Sequence, residues 1–219
     1  ASDRITILEE IHNLELDYQL IFNRSELMLL PAGVNKGTGL YEALGDIGIS
    51  RHSIIGVGDA ENDRALLDIC EVGAAVSNAV TSLQSFADIT LSQPGGDGVS
   101  DLIATMLTNQ HKAFHSQRWS LSLGTTPVGE PITIPSSQMN VLITGGSGNG
   151  KSHLAGLFAE RLIALGYSLL IIDPEGDHTD LGRLRGVAVV DSRNGLPSPE
   201  RITERLSERF MSVVLDISQ

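Results

Sequence analysis

The sequence predicts an α/β protein made of two successive sheets. Strand-like apolar runs alternate with helix-like segments in two separate stretches, about residues 53–91 and 140–216, which is the pattern of parallel sheets. A polar interval rich in proline and glycine lies between them, from Asn109 to Gln138. Charge also divides the chain: residues 1–110 carry 5 basic against 16 acidic side chains, and residues 111–219 carry 10 against 11. The expected organisation is therefore a first domain over 1–108, a linker over 109–138 with a short β-hairpin, and a second domain over 139–219.

Each element has a local reason. Ile5, Leu8 and Ile11 recur at helical spacing, so a helix is expected from Arg4 to Leu14. Tyr18–Phe22 and Leu27–Leu30 read as short strands. Pro31, Gly33, Gly37 and Gly39 then break the pattern ahead of a helix from Leu40 to Leu44. A buried strand is expected from Ser53 to Asp59, then a helix from Asn62 to Ile69, a strand at Val72–Val76, a helix at Ala79–Phe86 and a strand at Ile89–Leu91. After the linker, with a strand at Ile132–Ile134, the second alternation begins at Asn140–Thr144. It continues with a glycine loop, a helix from Lys151 to Leu165, strands at Ser168–Asp173 and Val187–Asp191, a helix at Pro199–Leu206 and a strand at Val213–Asp216.

Composition narrows the function classes. The formal charge of −12 and the absence of a basic run give no support to nucleic-acid binding, while the acidic first half attracts divalent cations. No apolar run approaches the roughly 18 residues a membrane span requires, so no membrane association is expected. One cysteine, Cys70, fits a reducing, cytoplasmic setting and reads as core beside Leu66, Leu67 and Ile69. His111 and His115 are four apart but have no third ligand beside them. His153 reads as a residue that packs or faces solvent rather than a catalytic one, and the Glu200–Arg209 series as a charged helix face.

Two constellations carry chemistry. Gly145, Gly146, Ser147, Gly148, Asn149, Gly150, Lys151 and Ser152 fit G-x-x-x-x-G-K-[ST], set between an expected strand and an expected helix. Glycines let successive amides turn toward a phosphate, Lys151 would reach the β- and γ-phosphates, and the Ser152 hydroxyl would contact Mg²⁺. ATP and Mg²⁺ are the ligands this pattern implies. In the first half, Gly58-Asp-Ala-Glu-Asn-Asp63 places Asp59 at a strand end and Asp63 on the following turn, where two carboxylates converge on one hard cation and Asn62 is free to hydrogen-bond a neighbour. Lys36, at a loop-to-helix start, would neutralise a phosphoryl group.

Lys36-Gly-Thr, Gly58-Asp-Ala-Glu-Asn-Asp63, Ala74-Ala-Val-Ser-Asn-Ala79 and Gly96-Asp-Gly-Val99 resemble the carboxyl half of haloacid dehalogenase (HAD) superfamily phosphatases of the Cof type, over about Ile5–Leu107. The resemblance implies a partial HAD-like Rossmannoid sheet, a phosphorylated small molecule as substrate and Mg²⁺ as cofactor. It also implies Asp59 and Asp63 as metal-binding acids, with Lys36 and Asn62 as the catalytic-site residues around the phosphoryl group. The Asp-x-Asp motif that bears such a family's nucleophile does not precede Lys36. The stretch Leu123–Ile217 resembles P-loop NTPases, and Ile171-Ile-Asp-Pro-Glu-Gly-Asp177 resembles the FtsK/HerA-like ATPases in particular. That implies a partial P-loop NTPase sheet, nucleic acid as a partner of the family, and assembly into a homo-oligomer. Either Asp173 or Asp216 would be the acid that holds the metal through water, Asp173 reading equally as a turn residue before Pro174.

The expected protein is thus an Mg²⁺-dependent phosphate-monoester hydrolase module fused to an ATP-binding module, an internal fragment inactive alone as a phosphatase. The alternative is a nucleotide-binding ATPase module with a non-catalytic, phosphate-sensing HAD-like domain.

Overall fold

A computed structural model describes residues 2–109, 114, 116, 118–137, 139–207 and 211–218. His111, His115, Glu208, Arg209 and the linker boundary at Gln138 lie outside the described residues. The chain forms two compact units, one of residues 1–46 and 53–116, the other of residues 47–52 and 117–219. Among the described residues no helix is long and apolar enough to cross a membrane.

The first unit opens with helix α1 (Ser2–Asn13), then an antiparallel hairpin of β1 (Tyr18–Asn23) and β2 (Glu26–Pro31). The register pairs Asn23 with Glu26, so the turn is only Arg24 and Ser25, and Arg24 sits in the left-handed region at φ 54°. Helix α2 runs from Lys36 to Ile47, four residues earlier than the glycine pattern suggests. The cause is a cap: Asn35 Oδ1 accepts from the amides of Gly37 (2.9 Å) and Thr38 (3.0 Å), and Thr38 Oγ1 accepts from Asn35 N. That cap offsets the poor helix propensity of Gly37 and Gly39.

The parallel sheet of this unit has the order β3-β4-β5, from β3 (Ile55–Gly58), β4 (Val72–Ala75) and β5 (Ile89–Thr90). A 3₁₀ turn (Glu61–Asp63) and helix α3 (Arg64–Ile69) join β3 to β4, and helix α4 (Thr81–Gln84) joins β4 to β5. All four residues of the central strand are buried. Leu67, Ala75, Val76, Ala79 and Leu83 form the core, and full burial of Leu67 or Leu83 contributes about 2–3 kcal/mol each. Cys70 is buried there, its thiol donating to Leu66 O. Helix α5 (Gly95–Asn109) closes the unit and is absent from the sequence-based expectation, because three glycines in its first turn depress helix propensity. Its start is tied down by Asn78 Oδ1, which accepts from Gly95 N at 3.0 Å.

The second unit contains the expected hairpin, β6 (Ser120–Thr125) with β7 (Pro131–Pro135). Helix α6 spans Lys151–Ala164. Strands β8 (Leu170–Asp173) and β9 (Val187–Asp191), helix α7 (Pro199–Ser207) and strand β10 (Ser212–Asp216) complete it. The parallel order is β8-β10-β9, and every residue of β10 is buried. Both units are α/β with parallel sheets, as expected.

One expectation fails. Residues 140–144 form no strand: among the described residues they have no ladder partner, and Leu142 is 86% exposed. An apolar run becomes a strand only where a neighbour completes its hydrogen bonds, and neither β8 nor β9 pairs with this run.

Candidate functional site

In the first unit the chain reverses sharply at the end of β3. Asp63 folds back over this end. Its Oδ2 accepts from the amides of Asp59 (2.8 Å) and Ala60 (3.1 Å), and its Oδ1 accepts from Lys36 Nζ. Gly58 makes this return possible, because a Cβ there would lie 2.4 Å from Asp63 Cβ. Gly37 has the matching role on α2: a Cβ would lie 2.2 Å from Ala65 O, so only glycine lets the helix start close enough to α3 for Lys36 to reach the acid. Asp63 is buried while Lys36 is half-exposed, so the ammonium keeps a solvent-facing side.

Burial alone would raise the Asp63 carboxyl pKa, but the Lys36 ammonium and the two amides outweigh it and hold the group below the usual carboxylate range. The folded acid therefore binds its proton less tightly than the unfolded one. The stabilisation it confers is complete above about pH 4 and is lost as the pH falls through the depressed folded value. Urea midpoints measured against pH should fall on the acid side for the wild type, and Asp63→Asn should flatten that limb.

Asp59 stands at the other side of the loop, about half exposed. Its Oδ2 accepts from Arg24 Nη2 at 2.6 Å, and Glu61 Oε2 accepts from Arg24 N at 2.9 Å. The Arg24 amide, the largest influence on Glu61, lowers that carboxyl's pKa. Asn62 turns toward β2, with Nδ2 4.0 Å from Met28 Sδ, and its Oδ1 is buried with no partner among the described residues. A cleft of about 360 Å³ lies alongside, lined by Gln19, Asn35, Glu61, Asn62, Arg64 and Asp68 among others. The structure thus brings Lys36, Asp59, Asn62 and Asp63 to one loop cluster. It adds Arg24, which the sequence marks only as a turn between two apolar runs.

These groups suit a hard cation by chemistry. Asp59 and Asp63 offer carboxylate oxygens; Asp63 Oδ1, with one donor, keeps a lone pair, and Mg²⁺ is satisfied by one or two carboxylates with water completing its shell. Among the described residues no group of three or more His, Cys, Asp or Glu side chains is gathered for a metal.

The glycine loop of the second unit runs into α6. Gly148 (φ 77°) and Gly150 (φ 76°) take left-handed conformations that L side chains resist, and Gly150 caps the helix. Lys151 Nζ donates to Gly146 O at 2.9 Å, so the side chain already folds over the loop. Ser152 follows on the first turn of α6, and His153 is exposed. The arrangement of glycine turns, helix start and inward lysine fits a phosphate chain.

The two candidate acids at strand ends are both engaged by nearby chain. Asp173 is 1% exposed, and its oxygens accept from the amides of Gly176, Asp177 and His178 at 2.8–3.2 Å, which makes it the staple of the turn after β8. Asp216 Oδ1 accepts from the amide (2.9 Å) and hydroxyl (2.6 Å) of Ser218. Asp191, at the end of β9, is held by the Arg193 fork, whose hydrogen bonds lower its pKa.

Two family models match separate stretches of the chain. Residues 6–103 match the family model of haloacid dehalogenase-like hydrolases, and residues 131–216 match that of the central domain of helicase HerA. The chain is 34% identical over 101 residues to phosphoglycolate phosphatase 2 of Saccharolobus solfataricus, covering 46% of this chain and 43% of that protein. It is 35% identical over 71 residues to the phosphoglycolate phosphatase of Nitrosopumilus maritimus, covering 32% and 31%. A solved haloacid dehalogenase-like hydrolase from Bacteroides thetaiotaomicron aligns with 28% identity and a TM-score of 0.42, covering 48% and 40%. The chain spans less than half the length of each of these proteins.

Proposed function

We infer, for a chain that joins a haloacid dehalogenase-like hydrolase segment to a HerA-like segment, that it unites an Mg²⁺-dependent phosphate-monoester hydrolase module with an ATP-binding module. The modules are assigned to residues 1–108 and 139–219, joined by 109–138, in a cytoplasmic protein. The observation that carries the reading is the Lys36–Asp63 pair buttressed by the amides of Asp59 and Ala60, beside the accessible Asp59.

In this reading Asp59 and Asp63 hold the metal, which supplies charge neutralisation for a bound phosphoryl group. Lys36 adds a positive charge whose position Asp63 fixes, so the ammonium offsets the charge of the phosphate while water is kept from the buried acid. Asn62, whose buried oxygen has no partner among the described residues, is free to accept a hydrogen bond from a donor at the bound group. The sequence contains no Asp-x-Asp, so no attacking carboxylate is assigned within these residues and hydrolysis is proposed for the whole protein. The polypeptide alone is expected to turn over phosphoesters no faster than background. In the second unit the amides of 145–150 and Lys151 bind the phosphates of ATP, with Ser152 toward Mg²⁺. Nucleic acid and a homo-oligomeric assembly enter only through the HerA likeness.

Calorimetric titration of the 219-residue chain tests this. Mg²⁺ and Mg·ATP should bind independently, with Asp59→Asn removing the first and sparing the second. No heat from either ligand would overturn the reading. A second reading is that the first module senses phosphate without turnover. Phosphoester hydrolysis by the full-length protein, lost in Asp59→Asn, supports the first; phosphate binding without hydrolysis supports the second.

A further inference from the structure

We propose that Arg24 is a built-in rival of the metal, a guanidinium that occupies Asp59 until a divalent cation displaces it and frees the Arg24 side chain. The proposal rests on the metal-site reading above and extends it to a residue that reading does not use.

Three observations converge. The turn is as short as a hairpin allows, so Arg24 is delivered to one place by the register of β1 and β2 rather than by a flexible loop. Arg24 holds a left-handed backbone at φ 54°, a region that favours glycine, and from there it makes two contacts to the same acidic loop, Nη2 to Asp59 Oδ2 and N–H to Glu61 Oε2. Finally, the two acids of the site differ in access. The Asp63 side chain is 8% exposed and already bound by Lys36 and two amides, whereas the Asp59 side chain is 51% exposed. A cation arriving from solvent meets Asp59 first, and one of its oxygens already faces a positive charge.

The latch is shallow. An ion pair this exposed gains little over hydration, so a divalent ion with twice the charge can replace it. Displacement leaves the Arg24 guanidinium unpaired at the hairpin tip while the amide contact to Glu61 can persist, so the expected change is local to the side chain.

The test is Mg²⁺ titration of the 219-residue chain, read by calorimetry and by the ¹H–¹⁵N signal of Arg24 Nε. In the wild type Mg²⁺ should shift that signal, and Asp59→Asn should shift it before any metal is added. Arg24→Gln and Arg24→Gly should each tighten Mg²⁺ binding about three- to tenfold, while Arg24→Lys, which keeps the charge, should tighten it less. Unchanged or weaker Mg²⁺ affinity in both Arg24→Gln and Arg24→Gly overturns the proposal while leaving the metal site standing, provided Asp59→Asn still abolishes binding. If neither wild type nor Arg24→Gln takes up Mg²⁺, the metal-site reading fails and the proposal with it. A shift of the Nε signal by inorganic phosphate and not by Mg²⁺ also overturns it, in favour of Arg24 as an anion anchor.

Discussion

Alanine in place of Lys151 should weaken Mg·ATP binding by about 2–4 kcal/mol, a loss of roughly 30- to 800-fold in affinity. The lysine already lies over the loop, with Nζ 2.9 Å from Gly146 O, so little ordering cost stands between it and an incoming phosphate. Removing it takes away the one side-chain cation of the motif and leaves only the amides and the start of α6. Because its present partner is an exposed carbonyl, folding stability should change by less than about 0.5 kcal/mol. Calorimetry with Mg·ATP and urea unfolding on the same protein separate these two effects. An affinity within threefold of wild type would show that the loop does not bind triphosphate through Lys151.

Asp63→Ala should have the opposite profile, with a large cost to the fold as well as to the site. The substitution strands Lys36 Nζ and the amides of Asp59 and Ala60 at once. Breaking a buried ion pair costs about 3–5 kcal/mol, and the half-exposed Lys36 can recover part of that through water, so about 2–4 kcal/mol is expected. Mg²⁺ binding should disappear in parallel, and Mg·ATP binding should persist. Urea unfolding followed by circular dichroism gives the stability change. A variant as stable as wild type would mean that Asp63 does not brace the loop.

Much of this was legible in the residues themselves. Gly58-Asp59 and Asp63 mark a strand end and a returning acid, so their convergence follows from spacing, whereas Lys36, 27 residues from Asp63, is joined to them in the sequence only by the family resemblance. The glycine loop is readable for the same reason, since its chemistry is local. What spacing does not carry is pairing between distant segments. Arg24 is 35 residues from Asp59, and nothing in Asn23-Arg24-Ser25 beyond a turn signal announces the contact. Residues 140–144 fail in the reverse direction: their apolar character is that of a strand, but a strand needs a partner and this run has none among the described residues. Helix α5 was hidden because Gly95, Gly96 and Gly98 argue locally against a helix that Asn78 and the burial of Leu102 sustain from a distance.

The double duty of Asp63 has a further consequence. The carboxylate that positions the ammonium also locks the main chain of the reversal, so the pocket is assembled by the act of folding and not by its guest. Under the proposed function, a phosphoryl group would encounter an ammonium already aligned by Asp63, with little entropy lost in arranging it, which is the thermodynamic signature of a rigid receptor rather than of a segment that orders on contact.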